Sequence, residues 1–411
     1  MRAAAVVLSA VAVVALAGCS GSDGDGAPNT TPATSAPTTA GATTTPPGTP
    51  TPAPTSTPAS TPASTSTPAT AAQRALARMS LRQRVGQLVM IDCPSTGVAP
   101  ATRTALTRYD VGSVILDGTS RAGASATRGV TRELSSLAGD RVGLLVATDQ
   151  EGGLVQRLQG EGFDRIPSGT VQGQRSATAL RRDAARWGAQ LRDAGVNVNL
   201  GPVLDVVPAG GGANPPIGDL DRQYGSTPRV VTSHGLAFAK GMADAGVDPV
   251  VKHFPGLGRV SGNTDVAAGV TDTVTEADDA DLGPFRAAVA AGVPFVMMST
   301  AIYRRIDPGT PAAFSTRIVT GLLRERFGFR GVVVSDDIGA ADQVAAYPPG
   351  ERAVRFVRAG GDIALSVVGS DAGPMTTALL AEARSDASFR KLVDAAVLRV
   401  LQAKQARGLV H

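Results

Sequence analysis

The stretch Asp248–Asp265, reading DPVVKHFPGLGRVSGNTD, passes from buried strand to chemistry within a few residues. Val250 and Val251 are β-branched and apolar, as in a strand covered on both faces. Lys252 and His253 follow at once, and Pro255, Gly256, Gly258 and Gly262 then make a loop. Either residue alone has an ordinary reading, a lysine paired with a core carboxylate or a histidine satisfied by a backbone carbonyl. Adjacent to one another and followed by a glycine-rich loop, they point instead to a site at the end of a strand.

The same transition recurs along the chain. Short apolar segments run as QLVMID to Asp92, GSVILD to Asp117, GLLVATD to Asp149, VNVNLGPVLD to Asp205, DPVVKH to His253, VPFVMMST to Thr300, GVVVSDD to Asp337 and GDIALSV to Val367. Between them lie helix-like stretches such as Thr178–Ala194, Thr232–Ala245, Asp279–Ala291, Ile318–Phe327 and Gly350–Ala359, and a Ser80/Gln83 capping box opens a further helix ahead of the first segment. Eight strand–helix units predict an α/β fold of the (β/α)8 TIM-barrel class. A doubly wound open sheet uses the same alternation, and periodicity alone does not distinguish the two.

Ahead of this domain, taken as residues 71–411, the composition changes character. Arg2, an apolar run from Ala3 to Leu16 and the sequence Leu16-Ala17-Gly18-Cys19 have the layout of a secretory signal covering residues 1–18. The apolar stretch is too short for a stable membrane span, and its end resembles the bacterial lipobox, which implies cleavage before Cys19 and a lipid on its sulfur. Residues 19–70 are almost entirely Thr, Pro, Ala, Ser and Gly and cannot bury enough to fold. Extended at ~3.1 Å per residue, such a tether reaches on the order of 150 Å. The expected location is extracytoplasmic, anchored to the cell membrane. With Cys19 acylated, only Cys93 remains, so neither an intramolecular disulfide nor a cysteine metal cluster can form, and Cys93 reads as a small core residue. The formal charge of +4 is small for 411 residues and the basic side chains are scattered, which argues against nucleic acid as a partner. The sequence calls for no metal and no cofactor.

In a barrel of this class the active site lies at the carboxyl ends of the strands, where the sequence places Asp149, Asp205, Lys252, His253, Ser299, Asp336 and Asp337. A lone Asp after a strand is most often a turn or helix cap; polar groups ending strand after strand are a site. The segment Asp149–Arg157, DQEGGLVQR, adds carboxylates, a Gly pair and a guanidinium. Carboxylate and guanidinium together suit vicinal hydroxyls, the one accepting their hydrogens and the other donating to their oxygens. Asp336 and Asp337 end a Val-rich strand side by side, so one faces the mouth and the other is free to cap the following turn.

DQEGGLVQR at Asp149–Arg157, KHFPGLG at Lys252–Gly258 and SDD at Ser335–Asp337 together resemble the motifs of glycoside hydrolase family 3, most closely its single-domain bacterial β-N-acetylhexosaminidases. The resemblance covers nearly everything after the tether. It implies a barrel that removes β-linked sugars, with peptidoglycan fragments as the expected glycan, from non-reducing ends with retention. It assigns the catalytic nucleophile to Asp336 and sugar contacts to Asp149, Arg157, Arg222, Lys252 and His253. These relatives usually carry an Asp–His acid/base dyad on the loop after the KHFPGHG motif. Here Leu257 replaces the first loop histidine and Asn263-Thr264-Asp265 stands where the dyad belongs. Thr300 also replaces a family histidine. Two readings follow: Asp265 is the acid/base, on a loop that could close over substrate, or the loop has lost that role and the domain binds envelope glycan without cleaving it. A β-glucosidase-type specificity also stays open, because loss of the dyad removes what most separates the two groups.

Overall fold

The apolar runs form parallel strands that pair in chain order. The computed structural model describes residues 69–139 and 142–410. Its barrel strands are β1 (Val89–Pro94), β2 (Ser113–Asp117), β3 (Leu145–Thr148), β4 (Val198–Asn199), β5 (Asp248–Phe254), β6 (Phe295–Met298), β7 (Val332–Ser335) and β8 (Ala364–Ser366). Each pairs in parallel with the next from β1 to β7, and β8 pairs with β1. The last seam is closed by a Val334–Ile363 bridge, with Ile363 N–H donating to Val333 O and Ser335 N–H to Ile363 O, both at 3.0 Å. That closure decides between the two α/β architectures, since an open sheet would leave two unpaired edges. The fold is a (β/α)8 barrel.

The Val, Ile and Leu side chains of the strands are buried on both faces because helices cover the outside and side chains fill the inside. Helices Ala177–Asp193, Pro228–Asp244, Gly283–Ala290 and Pro349–Ala359 fall within a few residues of the expected stretches. Ser80 and Gln83 form the capping box of helix Leu81–Gly86. The Ile318–Phe327 stretch coils as a π-type helix over Arg317–Arg326. Cys93 is buried within β1, and burial pushes its thiol up to about 12, which keeps it inert.

Two strands are shorter than their apolar runs. The run expected to reach Asp205 pairs only at Val198 and Asn199, because Pro202 has no N–H to give the ladder. Pairing resumes for a single bridge between Val203 and Lys252, so Asp205 still arrives at the barrel mouth. The run to Val367 pairs with β1 only over Ala364–Ser366. The signal peptide, Cys19 and nearly all of the 19–70 tether lie outside the described residues.

Candidate active site

The floor of the barrel mouth is an ion-pair cluster made by β3, β5 and the loop after β4. β3 turns directly into a hairpin, Gln150–Gly152 against Val155–Gln156. A Cβ on Gly152 would lie 2.2 Å from Pro167 O, and its φ of +113° is one that L side chains rarely adopt. The hairpin puts Asp149 and Glu151 on either side of the buried Lys252, whose Nζ lies 2.5 Å from Asp149 Oδ1 and 2.7 Å from Glu151 Oε1. Arg222 closes the cluster as a two-pronged donor, Nε to Glu151 Oε2 at 2.9 Å and a terminal nitrogen to Oε1 at 2.7 Å. Burial alone would raise Glu151, yet the charges of Arg222 and Lys252 outweigh it and hold the carboxyl well below the usual range. Burial would likewise discharge Lys252, and Asp149 and Glu151 reverse that, keeping it cationic.

His253 follows Lys252 across a cis peptide bond, and both side chains reach the same cleft. Its Nδ1 lies 2.7 Å from Asp205 Oδ2. A carboxylate only accepts, so Nδ1 carries the hydrogen and Nε2 is left facing the cleft, 3.4 Å from Arg222. Asp205 is fully buried, and its other oxygen accepts from the N–H groups of His253 and Leu257 at 3.2 and 2.8 Å. One carboxylate thus orients the imidazole and starts the following loop. That loop passes so close to Val206 that a Cβ on Gly258 would sit 1.7 Å from its carbonyl oxygen, which only glycine permits.

From β7 come the adjacent acids. Asp337 is the turn cap: its oxygens accept from Gly339 N–H at 2.8 Å, Ala340 N–H at 2.9 Å and Val367 N–H at 3.0 Å. Asp336 is aimed at the cleft, with Oδ1 accepting from Asp337 N–H at 2.9 Å. Burial pushes Asp336 up to about 6; His253 and Lys252 pull it down and the nearby Asp265 pushes it further up. Asp336 and Asp265 therefore sense one another across the same space.

That space is a cleft of about 340 Å³. Asp149, Arg157, Arg222, Lys252, His253, Asp265 and Asp336 all line it, whereas Asp205 and Ser299, also expected at the strand ends, are not among its lining residues. Leu257 lines it too. The structure adds local detail at Arg157, Asp265 and Thr300. Arg157 pairs loosely with Asp117 at 3.7 Å rather than with Asp149, which belongs to Lys252. Asp265 is exposed, and its loop is already bound to the loop after β7, with Asp342 N–H donating to Asp265 O at 3.2 Å and Gln343 N–H to Thr264 O at 3.1 Å. Thr300 is buried with its hydroxyl unpartnered among the described residues. His234 is structural, its ring nitrogens within 2.9 Å of Val230 O and 2.8 Å of Arg175 O. Sequence reasoning passed over Glu151, although it stands inside the DQEGG run.

The glycosyl hydrolase family 3 N terminal domain matches residues 80–403. The chain belongs to glycosyl hydrolase family 3. A relative named beta-hexosaminidase, from Thioalkalivibrio sulfidiphilus, is 37% identical over 287 residues, covering 67% of this chain and 79% of its own length. The crystal structure of a beta-N-acetylhexosaminidase from Beutenbergia cavernae is 49% identical with a TM-score of 0.79, over 80% of this chain and 99% of that one. A family 3 beta-N-acetylglucosaminidase from Paenibacillus sp. is 34% identical with a TM-score of 0.74, over 80% of this chain and 63% of that one.

Proposed function

We propose that this family 3 barrel is a retaining, exo-acting β-glycoside hydrolase that removes N-acetylglucosamine-type sugars, with Asp336 as nucleophile and Asp265 as acid/base. The observation that carries the reading is the pair of carboxylates from different loops lining one cleft, one half-buried and electrostatically coupled to the other, exposed one. Retention needs such a pair. Membership of a glycosyl hydrolase family favours cleavage over glycan binding alone. The names of the beta-hexosaminidase relatives support the sugar class.

In this reading the sugar sits over Asp336, its hydroxyls held by Asp149, Lys252, Arg222, His253 and Arg157. Asp265 protonates the departing oxygen while Asp336 Oδ attacks the anomeric carbon. The leaving alcohol takes that proton. Asp265, now a carboxylate, deprotonates the water that attacks the glycosyl–Asp336 ester, and Asp336 is released as a carboxylate. A 2-fluoro glycoside with a good leaving group traps the ester, and peptide mapping finds the label on Asp336. Label on Asp337 overturns the assignment.

The glycan we propose is a β-linked fragment of the cell envelope, peptidoglycan above all, and the place of action is outside the cytoplasm, at the membrane surface. The support is the lipobox-like sequence ending at Cys19 and the Pro/Thr-rich tether after it. Cys19→Ala releases the protein from the membrane fraction; recovery of that variant with the membranes contradicts lipid anchoring.

A further inference from the structure

The acid/base loop is clasped from the nucleophile's side of the barrel. Gln343 lies seven residues beyond Asp336, on the loop that leaves β7, and is 8% exposed. Its side-chain amide meets the peptide groups of Val270 as a strand would: Oε1 accepts from Val270 N–H at 2.8 Å and Nε2 donates to Val270 O at 3.1 Å. Its own N–H donates to Thr264 O at 3.1 Å, and Asp342 N–H donates to Asp265 O at 3.2 Å. Thr264 and Val270, which the clasp holds, are buried, while Asp265 and Val266 between them are exposed. Earlier on the same loop, Asn214 Nδ2 donates to Leu257 O at 2.8 Å and to Val260 O at 2.9 Å, and Tyr303 Oη donates to Gly256 O at 2.8 Å. The Asp265 carboxylate itself has no hydrogen-bond or ion-pair partner among the described residues, so its place over the cleft is set by its backbone alone.

We infer that Gln343 is a positioning residue that fixes Asp265 over the cleft for proton transfer, tying the acid/base loop to the strand that carries the nucleophile. This rests on Asp265 being the acid/base. A primary amide suits the task because one peptide unit offers one donor and one acceptor, and only a group with both satisfies them together. Glutamate would set a carboxylate against Val270 O, and methionine fills the volume with no polar contact.

The test compares leaving groups in Gln343→Met, Gln343→Ala and Asp265→Ala. Dinitrophenolate departs without a proton, whereas an alkyl or sugar alcohol needs one. Gln343→Met is expected to lower kcat on the alkyl glycoside by on the order of 10-fold to 10²-fold, short of the full worth of a general acid. Formation of the glycosyl-enzyme from the dinitrophenyl glycoside stays within about twofold of wild type, and amide hydrogen exchange at Val270 speeds up. Gln343→Ala gives the same selectivity with added loss of stability, and Gln343→Met remains informative if it does not fold. Equal loss on both substrates, or no loss on either, overturns the inference. Asp265→Ala separates the two levels. If it shows leaving-group selectivity and Gln343→Met does not, the clasp alone fails; if Asp265→Ala shows none, the acid/base reading fails and the clasp with it.

Discussion

The floor and the rim of the cleft are built by opposite rules. On the floor every charged side chain but Asp336 has another site residue as its partner: Lys252 lies between Asp149 and Glu151 and Arg222 grips Glu151, while His253 hydrogen-bonds Asp205. At the rim, Asp265 is exposed and is held through its backbone. Groups that must stay charged and fixed to grip hydroxyls can neutralise one another, and burial makes each pairing stiff. A group that gives and takes a proton in each cycle cannot be treated so, because a cation at hydrogen-bond distance would lock it as a carboxylate. On the proposed reading, the difference in partners separates binding from proton transfer.

The largest effect expected from this contrast is on stability. Glu151→Ala removes the carboxylate shared by Lys252 and Arg222 and leaves Arg222 without its charged partner in a buried place, so it costs about 3–5 kcal/mol in denaturant unfolding. Asp265→Ala removes an exposed side chain with no partner and changes stability by no more than about 0.5 kcal/mol. Similar costs for the two would break the comparison at its root.

How far this arrangement could be read from the chain depends on whether a signal is local. The barrel was legible because its strands lie in short apolar runs, most of them with Val or Ile, and Lys252, His253, Asp149 and Asp336 were legible because each stands at the end of such a run. What stopped β4 after Asn199 was also in view, in Pro202, but its effect depends on which neighbour needed that N–H. Pairings were not legible. Asp149 and Glu151 stand two apart, Lys252 comes 103 residues after Asp149, and no spacing says that the lysine takes both acids while Arg157 goes to Asp117. Gln343 carried no signal at all: a glutamine in a loop reads as solvated until Val270, 73 residues earlier, is brought against it.

Asp336 stands between the two rules, since it is held at the floor yet has no cation at salt-bridge distance among the described residues. Its burial raises it from an ordinary value near 3.8 to about 6, so the native state prefers it protonated. The sign follows: below about pH 4 the carboxyl is neutral in both folded and unfolded chains, and between there and pH 6 the unfolded chain ionises first and stability falls. Asp336→Asn stays neutral and can still accept from Asp337 N–H. The variant therefore matches wild type near pH 4 and becomes more stable as pH rises to about 6, by up to roughly 3 kcal/mol above that. With Asp336 as the proposed nucleophile, activity runs the other way, because only the carboxylate attacks: wild-type kcat/KM is expected to fall as pH drops through about 6. Asp265→Ala removes a like charge from Asp336 and moves that acid limb to lower pH, measured on the dinitrophenyl glycoside, which needs no protonation to react. An acid limb that stays in place when Asp265 is removed means the two carboxylates do not share the cleft electrostatically, and the proposed separation of a half-buried nucleophile from an exposed proton donor then loses its physical basis.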